Sequence, residues 1–197
     1  MTDTVDLDPT SLQACQAFAK RLYGLRQEAD GGGGNARAAL AHLRRALGRR
    51  GVDRSALAYI GDWIPWSIHG RDDADDVLDT YLLMAALQAV HASGSGEMRG
   101  AAAESSFGTA TRWLRRDLGV GQGSLDLRFQ ALLDARRDDL AYRLRQIVTM
   151  MASHPVGLRY DQLLHDLLRW DDHTRTVQRR WARDYWTGSR SSTPTDR

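Results

Sequence analysis

Through residues 105–186 the apolar side chains recur three and four positions apart, and that spacing leaves few folds open. Leu125, Phe129, Leu132 and Leu133 form one such set. Leu140, Leu144, Ile147, Val148 and Met151 form a second. Tyr160, Leu163, Leu164, Leu167, Leu168 and Trp170 form a third, and Val177, Trp181, Tyr185 and Trp186 a fourth. At about 3.6 residues per turn, each set lies along one face of a helix. Such a face must be buried, and with no alternating strand pattern in the chain its partners are other helices. The chain is therefore expected to be all-α.

The first half follows the same rule. Asp8-Pro9 predicts a helix start, with Asp capping free amides and Pro in the first turn; the helix runs to about Ala29, with Leu12, Phe18, Leu22 and Leu25 as core candidates. Residues 31–35, GGGGN, predict a flexible loop. The loop lacks the preceding strand and the Lys-Ser/Thr ending that phosphate cradling requires. A helix over roughly 36–49 carries the stripe Ala36, Leu40, Leu43 and Leu47. Asp53 predicts the cap of a short helix containing Leu57, Tyr59 and Ile60, stopped by Pro65. Trp63 and Trp66 flank that stop, and packing between helical lobes is preferred for them over base stacking. Residues 73–92 predict a long helix directing Val77, Tyr81, Met84, Leu87 and Val90 to the core. SGSGE at 93–97 opens a loop expected to be mobile. It divides the chain into an amino-terminal lobe, 1–98, and a carboxy-terminal lobe, 99–186, with 187–197 a disordered tail by composition. The total is about nine helices.

Net charge is only +2, but its distribution is uneven. Residues 36–54 hold six arginines against Asp53, a net +5; residues 55–98 hold Arg71 against six aspartates and Glu97, a net −6; residues 99–145 hold nine arginines against six acids, a net +3. The molecule is expected to be electrically two-sided. Lys20 is the one lysine. Codon bias accounts for most of that ratio and leaves the segregation unexplained. Arg44 and Arg45 leave their helix's apolar stripe, and Arg49, Arg50 and Arg54 follow, with no acid before Asp53. A solvated helix face ordinarily carries acids one turn away; here they are missing, which favours phosphate contact, since the guanidinium fork matches phosphate oxygens.

Catalytic patterns are absent from the sequence. The six histidines are scattered, and no G-x-S-x-G nucleophile turn occurs. His165-Asp166 matches a metal dyad of HD phosphohydrolases, but the further ligands that fold needs are missing. DDADD at 72–76, with Asp79 and His69 nearby, is read as capping and solvation, because one helix would splay these carboxylates apart. Cys15 is expected to be a buried core residue, and a lone cysteine suits a reducing cytoplasm. No apolar run reaches the ~20 residues of a membrane helix, and the acidic opening MTDTVDLDPT is unlike a signal peptide. The expectation is a cytoplasmic binding protein, not an enzyme, with no cofactor, no metal site and no membrane.

Several stretches taken together resemble the CasB family, the small subunit of the type I-E CRISPR effector complex Cascade. They are ALAHLRRALG at 39–48, Trp63, LLMAALQAVHA at 82–92, SFGTATRWL at 106–114, RFQALLDA at 128–135, LAYRLRQIV at 140–148 and the closing RYDQLLHDLLRWDDHTRTVQRRWARDYW. Each is common helical text; their order over about 150 residues makes the match specific. Arg159 departs from the pattern, which leads one to expect an acidic or apolar residue before the aromatic. The resemblance implies two packed helical bundles and two copies lying head to tail along the backbone subunits that hold the CRISPR RNA. It also implies contact with backbone and large subunits, and sequence-independent contact with the displaced DNA strand and the guide–target hybrid, stabilising the R-loop.

On that reading the nucleic-acid-binding candidates are Arg44 and Arg45, then Arg112, Arg115 and Arg116, then Arg128, with Arg143 and Arg145 after them. Arg143 and Arg145 flank their helix's buried face on opposite sides, and Asp139, four residues before Arg143, is its expected ion-pair partner. The alternatives are a helical transcription regulator, using the helices near 125–133 and 140–151 as a helix-turn-helix, and a protein-interaction subunit whose arginines pair only with acids.

Overall fold

The structure, a computed structural model, describes residues 7–48, 52–92, 106–119 and 122–187. Among these residues it holds nine α-helices: α1 Leu12–Asp30, α2 Gly34–Ala46, α3 Leu57–Ile60, α4 Ala74–His91, α5 Phe107–Leu118, α6 Gln122–Leu133, α7 Arg137–Ala152, α8 Tyr160–Leu167 and α9 Thr176–Trp186. Tight 3-10 turns at Arg54–Ala56, Gly61–Trp63 and Trp66–Gly70 lie around α3 and lead into α4. The one pairing of extended backbone among the described residues is an antiparallel bridge between Leu47 and Val52. The expected all-α fold is the fold observed. The expected lobe boundary at 98/99, the SGSGE loop, Arg49 and Arg50, and the tail from residue 188 lie outside the described residues.

Helix α4 sits at the centre and packs against α2, α7 and α8. The sequence reading gave it one core stripe; in the structure Leu82, Leu83, Ala85, Ala86 and Ala89 are buried as well, whereas Val90 is only half-buried. A helix apolar on every side is stable only when surrounded, and the small residues Ala85, Ala86 and Ala89 let its neighbours approach closely. Around it α1 lies on α2 and α8, α5 on α9, and α6 on α7. One apolar cluster runs from Cys15 and Phe18 in α1 through α4 to Trp181 and Tyr185 in α9.

Two buried polar sites and one partly exposed one tie these helices together. His91, at the end of α4, meets the Tyr160 hydroxyl through Nδ1 and the Val156 carbonyl through Nε2 at 2.9 Å. The carbonyl can only accept, so Nε2 carries the proton and Nδ1 accepts from Tyr160. Burial pushes the His91 imidazole down from 6.5 to about 4. Asp166 of α8, 1% exposed, accepts hydrogen bonds from Gln162 Nε2 and Trp181 Nε1, both at 2.7 Å. The Arg180 guanidinium completes its environment as an ion pair through Nη2. Asp166 thus spends its lone pairs fastening α8 to α9, which gives the His165-Asp166 pair a packing role. At the third site Arg137 donates to Thr80 Oγ1 at 2.9 Å and pairs with Asp171, joining α7 to α4 and to the turn after α8.

Helix ends differ from the sequence reading where local bonds compete. Ser11 rather than Asp8 caps α1, accepting from Ala14 N at 3.2 Å, while Asp8 bonds Thr10; Leu12 is consequently 40% exposed instead of core. Helix α2 begins inside the glycine run, at Gly34, because first-turn amides need no intrahelical partner and Arg37 anchors the turn by donating to Gly32 O at 2.7 Å. Asp73 stands at the cap position of α4 without capping it; its carboxylate takes two hydrogen bonds from Arg71. Trp63 packs edge-on against Phe18, but Trp66 points outward at 76% exposure, so only one of the two tryptophans packs. Arg159 precedes α8 and bonds Asp161 in that helix's first turn, so the departure from the family pattern is locally satisfied.

Gly108 marks the tightest crossing. A Cβ there would lie 2.3 Å from Trp181 O, a backbone atom of α9 that cannot swing aside. Gly108→Ala should lower stability by about 1–3 kcal/mol in urea unfolding, whereas Gly123→Ala, whose Cβ meets nothing within 4 Å, should be neutral or mildly stabilising. His91 gives a pH signature. Below its ordinary value of 6.5 the unfolded chain binds a proton that the folded chain refuses until about 4. Stability is therefore full above that window and falls as pH drops through it, by up to roughly 3 kcal/mol. Denaturation at stepped pH should show the wild type losing more between pH 7 and 4 than His91→Gln does; equal losses would remove His91 as the cause.

Candidate nucleic-acid interface

The carboxy end of α2, the middle of α6 and the outer face of α7 converge on a shallow groove. Helix α2 ends at Ala46 because Leu47 turns extended and enters the bridge with Val52. Its terminal carbonyls need donors, and Arg145 of α7 supplies one, giving Nη1–H to Leu47 O at 2.7 Å. A cation there also complements the negative end of the helix dipole. Arg128 of α6 reaches the same place, donating from Nη1 to Ser124 Oγ and lying 4.0 Å from Met150 Sδ. The groove has a volume of about 460 Å³ and is lined by Gly48, Arg128, Tyr142, Arg145, Gln146, Thr149 and Met150, with no acidic side chain among them.

Arg45 lines a neighbouring groove of about 590 Å³ that shares Gly48 with this one. That second groove mixes Arg45, Arg54 and Arg137 with Asp76, Asp79 and Asp138, so its field is largely cancelled. Arg54 spends its charge on Asp75, at 2.9 Å, and Asp79, at 3.4 Å. Arg44 and Arg45 have no ion-pair partner among the described residues; Arg45 is exposed and Arg44 half-buried. Arg143 lies 5.6 Å from the ring centre of Tyr142, which brings it to the edge of the first groove. Its expected bridge to Asp139 does not form: the guanidinium takes the aromatic face instead.

The arginines of α5 lie elsewhere. Arg112, Arg115 and Arg116 do not line the groove. Arg115 grips Asp126 of α6 with two hydrogen bonds, at 2.7 and 3.1 Å, and lies over the Trp186 ring of α9. Those bonds hold the Asp126 carboxyl below its usual range, and Tyr185 donates to the same carboxylate. Arg115 is thus tied into the α5–α6–α9 junction. Arg116 stacks at 5.2 Å over Trp113, and both are exposed. Arg112, half-buried, shares that side of the helix at i−4 from Arg116.

Of the eight sequence candidates, the fold gathers Arg128 and Arg145 in one groove with Arg143 beside it, leaves Arg44 and Arg45 unpaired on α2 with Arg45 in the neighbouring groove, sets Arg112 and Arg116 on a separate face, and commits Arg115 internally. Sequence reasoning missed Tyr142, Gln146 and Gly48. Tyr142 and Gln146 fall off the apolar stripe of α7, at i−3 and i+1 from Arg145, which is the signal that could have found them; nothing local distinguishes Gly48. The aspartate run 72–76 is partly consumed by Arg54 and Arg71, and no group of three or more potential metal ligands occurs among the described residues. Among those residues no helix is long and apolar enough to cross a membrane.

Comparison with known proteins places this architecture. The family model for the CRISPR-associated protein Cse2 matches residues 39–186. A Cse2 protein of Thermus thermophilus is 48% identical over 66 residues, which is 34% of this chain and 37% of that curated relative's length. The crystal structure of CasB from Thermus thermophilus superposes with a TM-score of 0.61 at 30% identity, covering 85% of this chain and 96% of that one. A chain from a CRISPR RNA-guided surveillance complex has the same fold, with a TM-score of 0.65 at 23% identity over 88% of this chain and 92% of its own. The class is therefore that of the all-helical CRISPR-associated proteins. Within it, this chain belongs to the Cse2 family, also called CasB.

The two arginine roles separate experimentally. Arg115→Ala should lower the thermal midpoint by unfastening α5 from α6, whereas Arg116→Ala, with no bond to another helix, should leave it unchanged. Equal midpoints for both variants would show that the Asp126 pair contributes nothing to stability.

Proposed function

We propose that this protein is the non-catalytic small subunit of a type I-E Cascade complex, and that it holds nucleic-acid backbone through surface arginines without reading sequence. The observation that carries the reading is the acid-free groove joining Arg128 and Arg145, with Arg45 in the adjoining groove that shares Gly48. Guanidinium groups spread over a surface suit successive phosphates. Family membership and the likeness to a chain of a surveillance complex support the assembly. The partners are then CRISPR RNA, both strands of target DNA, the backbone and large subunits, and a second copy of this chain. Exchanging a DNA duplex for a guide–target hybrid is nearly neutral in pairing energy, so added backbone contacts can decide whether the R-loop persists.

The test is the affinity of the RNA-loaded complex for target duplex, with and without this subunit, at two salt concentrations. The subunit should tighten binding, and less so at the higher salt. A triple variant, Arg45→Ala, Arg128→Ala and Arg145→Ala, should still join the complex but lose most of that gain. The slope of log affinity against log salt should fall by about one per lost phosphate contact. Full affinity of the triple variant at both salts would move nucleic acid away from this groove.

A further inference from the structure

A second concave surface, sharing no residue with the basic groove, lies between the 3-10 turns and the start of α4. It has a volume of about 630 Å³, and its floor is apolar, formed by Leu57, Ile64, Pro65, Ile68, Ala74 and Leu78. Trp66 stands at its edge, 76% exposed, with His69 against its ring at 4.4 Å between centres. A lone exposed tryptophan needs no explanation. This one borders a groove in which a partner side chain would be enclosed on several sides, the setting in which tryptophan contributes most to protein association.

The rim is acidic. Asp62 and Asp75 line it, and no arginine or lysine does. Arg54 offsets Asp75 and Asp79, while Arg71 offsets Asp73 and Asp8. Asp62 keeps its full charge, with no cationic partner among the described residues. An apolar floor within a carboxylate rim repels phosphate, which excludes base stacking on Trp66 as the use of this surface. It fits a segment of the opposite sign.

We propose that this groove docks a protein partner, through an apolar segment flanked by arginine or lysine. The apolar side chains lie on Leu57, Ile68 and Leu78 beside the Trp66 ring, and the flanking cations meet Asp62 and Asp75. The protein then has two faces of opposite use, a basic one free to hold nucleic acid and an acidic apolar one that fixes it to a neighbouring protein. The docking inference stands whether or not the basic groove binds nucleic acid.

The full-length protein is titrated with two synthetic peptides sharing one leucine- and phenylalanine-containing core, one flanked by arginines and the other by glutamates. Affinity is read by calorimetry, and in the wild type the peptide is located from the Trp66 indole N–H resonance, assigned with Trp66→Phe. The arginine-flanked peptide should bind at least tenfold more tightly than the other. The preference should collapse in Asp62→Lys, and Trp66→Ala should weaken binding about tenfold, whereas Arg128→Ala and Arg145→Ala should leave it unchanged. Because Trp66 and Asp62 are exposed, these variants fold, which is checked by unchanged thermal midpoints. Equal binding of the two peptides, no binding of the arginine-flanked one, or full binding by Trp66→Ala would overturn the proposal. So would a concentration-dependent dimer that Trp66→Ala abolishes, since a second copy would then be the occupant.

Discussion

Everything in this fold depends on the burial of α4. Its eighteen residues carry too little polar surface to face water, and three helices must close around it. That requirement draws α2 and α7 to neighbouring positions, and the meeting of those two helices creates the basic groove. Arg145 reaches the end of α2 because α4 holds both elements in register. The groove is thus a by-product of core packing, and its geometry is as rigid as the core beneath it.

Buried polar groups then fix which helix contacts which. Apolar stripes alone permit sliding, whereas a histidine with two satisfied nitrogens or a carboxylate bound by two side chains tolerates one arrangement. His91 fastens α4 to the segment entering α8, and Asp166 fastens α8 to α9. The second of these is an ion pair in an apolar setting, where attraction and desolvation nearly cancel, so its contribution lies in specificity more than in stability.

Charge is apportioned by the same architecture. Aspartates at the start of α4 pair with Arg54 and Arg71, which partly neutralises those arginines. Asp126 absorbs Arg115. Arginines without such partners are what remain at the surface, and they are fewer than a count along the chain suggests. The segregation of charge in the sequence reappears as two grooves of different character on separate elements, one basic and one acidic and apolar.

How much could be read from the sequence follows from the range of each interaction. Helices at 3.6-residue spacing, their approximate ends and most of the core are local properties, and the all-α fold, Phe18, Leu22, Leu144 and Trp181 among the core, and the family resemblance were legible on that ground. Helix caps were read less well, because Ser11 and Asp8 compete for amides within one or two residues and the sequence does not rank them. Which arginines stand free was legible only where acids are missing from the neighbouring turns, as for Arg44 and Arg45. Arg115 and Arg116 are adjacent and chemically identical, yet Asp126, eleven residues from Arg115, claims the one, while Arg116 is left over an exposed tryptophan. The sequence determined the helices and the sign of charge each carries. Only the tertiary structure decided which charges cancel and which converge, because ion pairing and groove formation depend on distances between helices far apart in the chain.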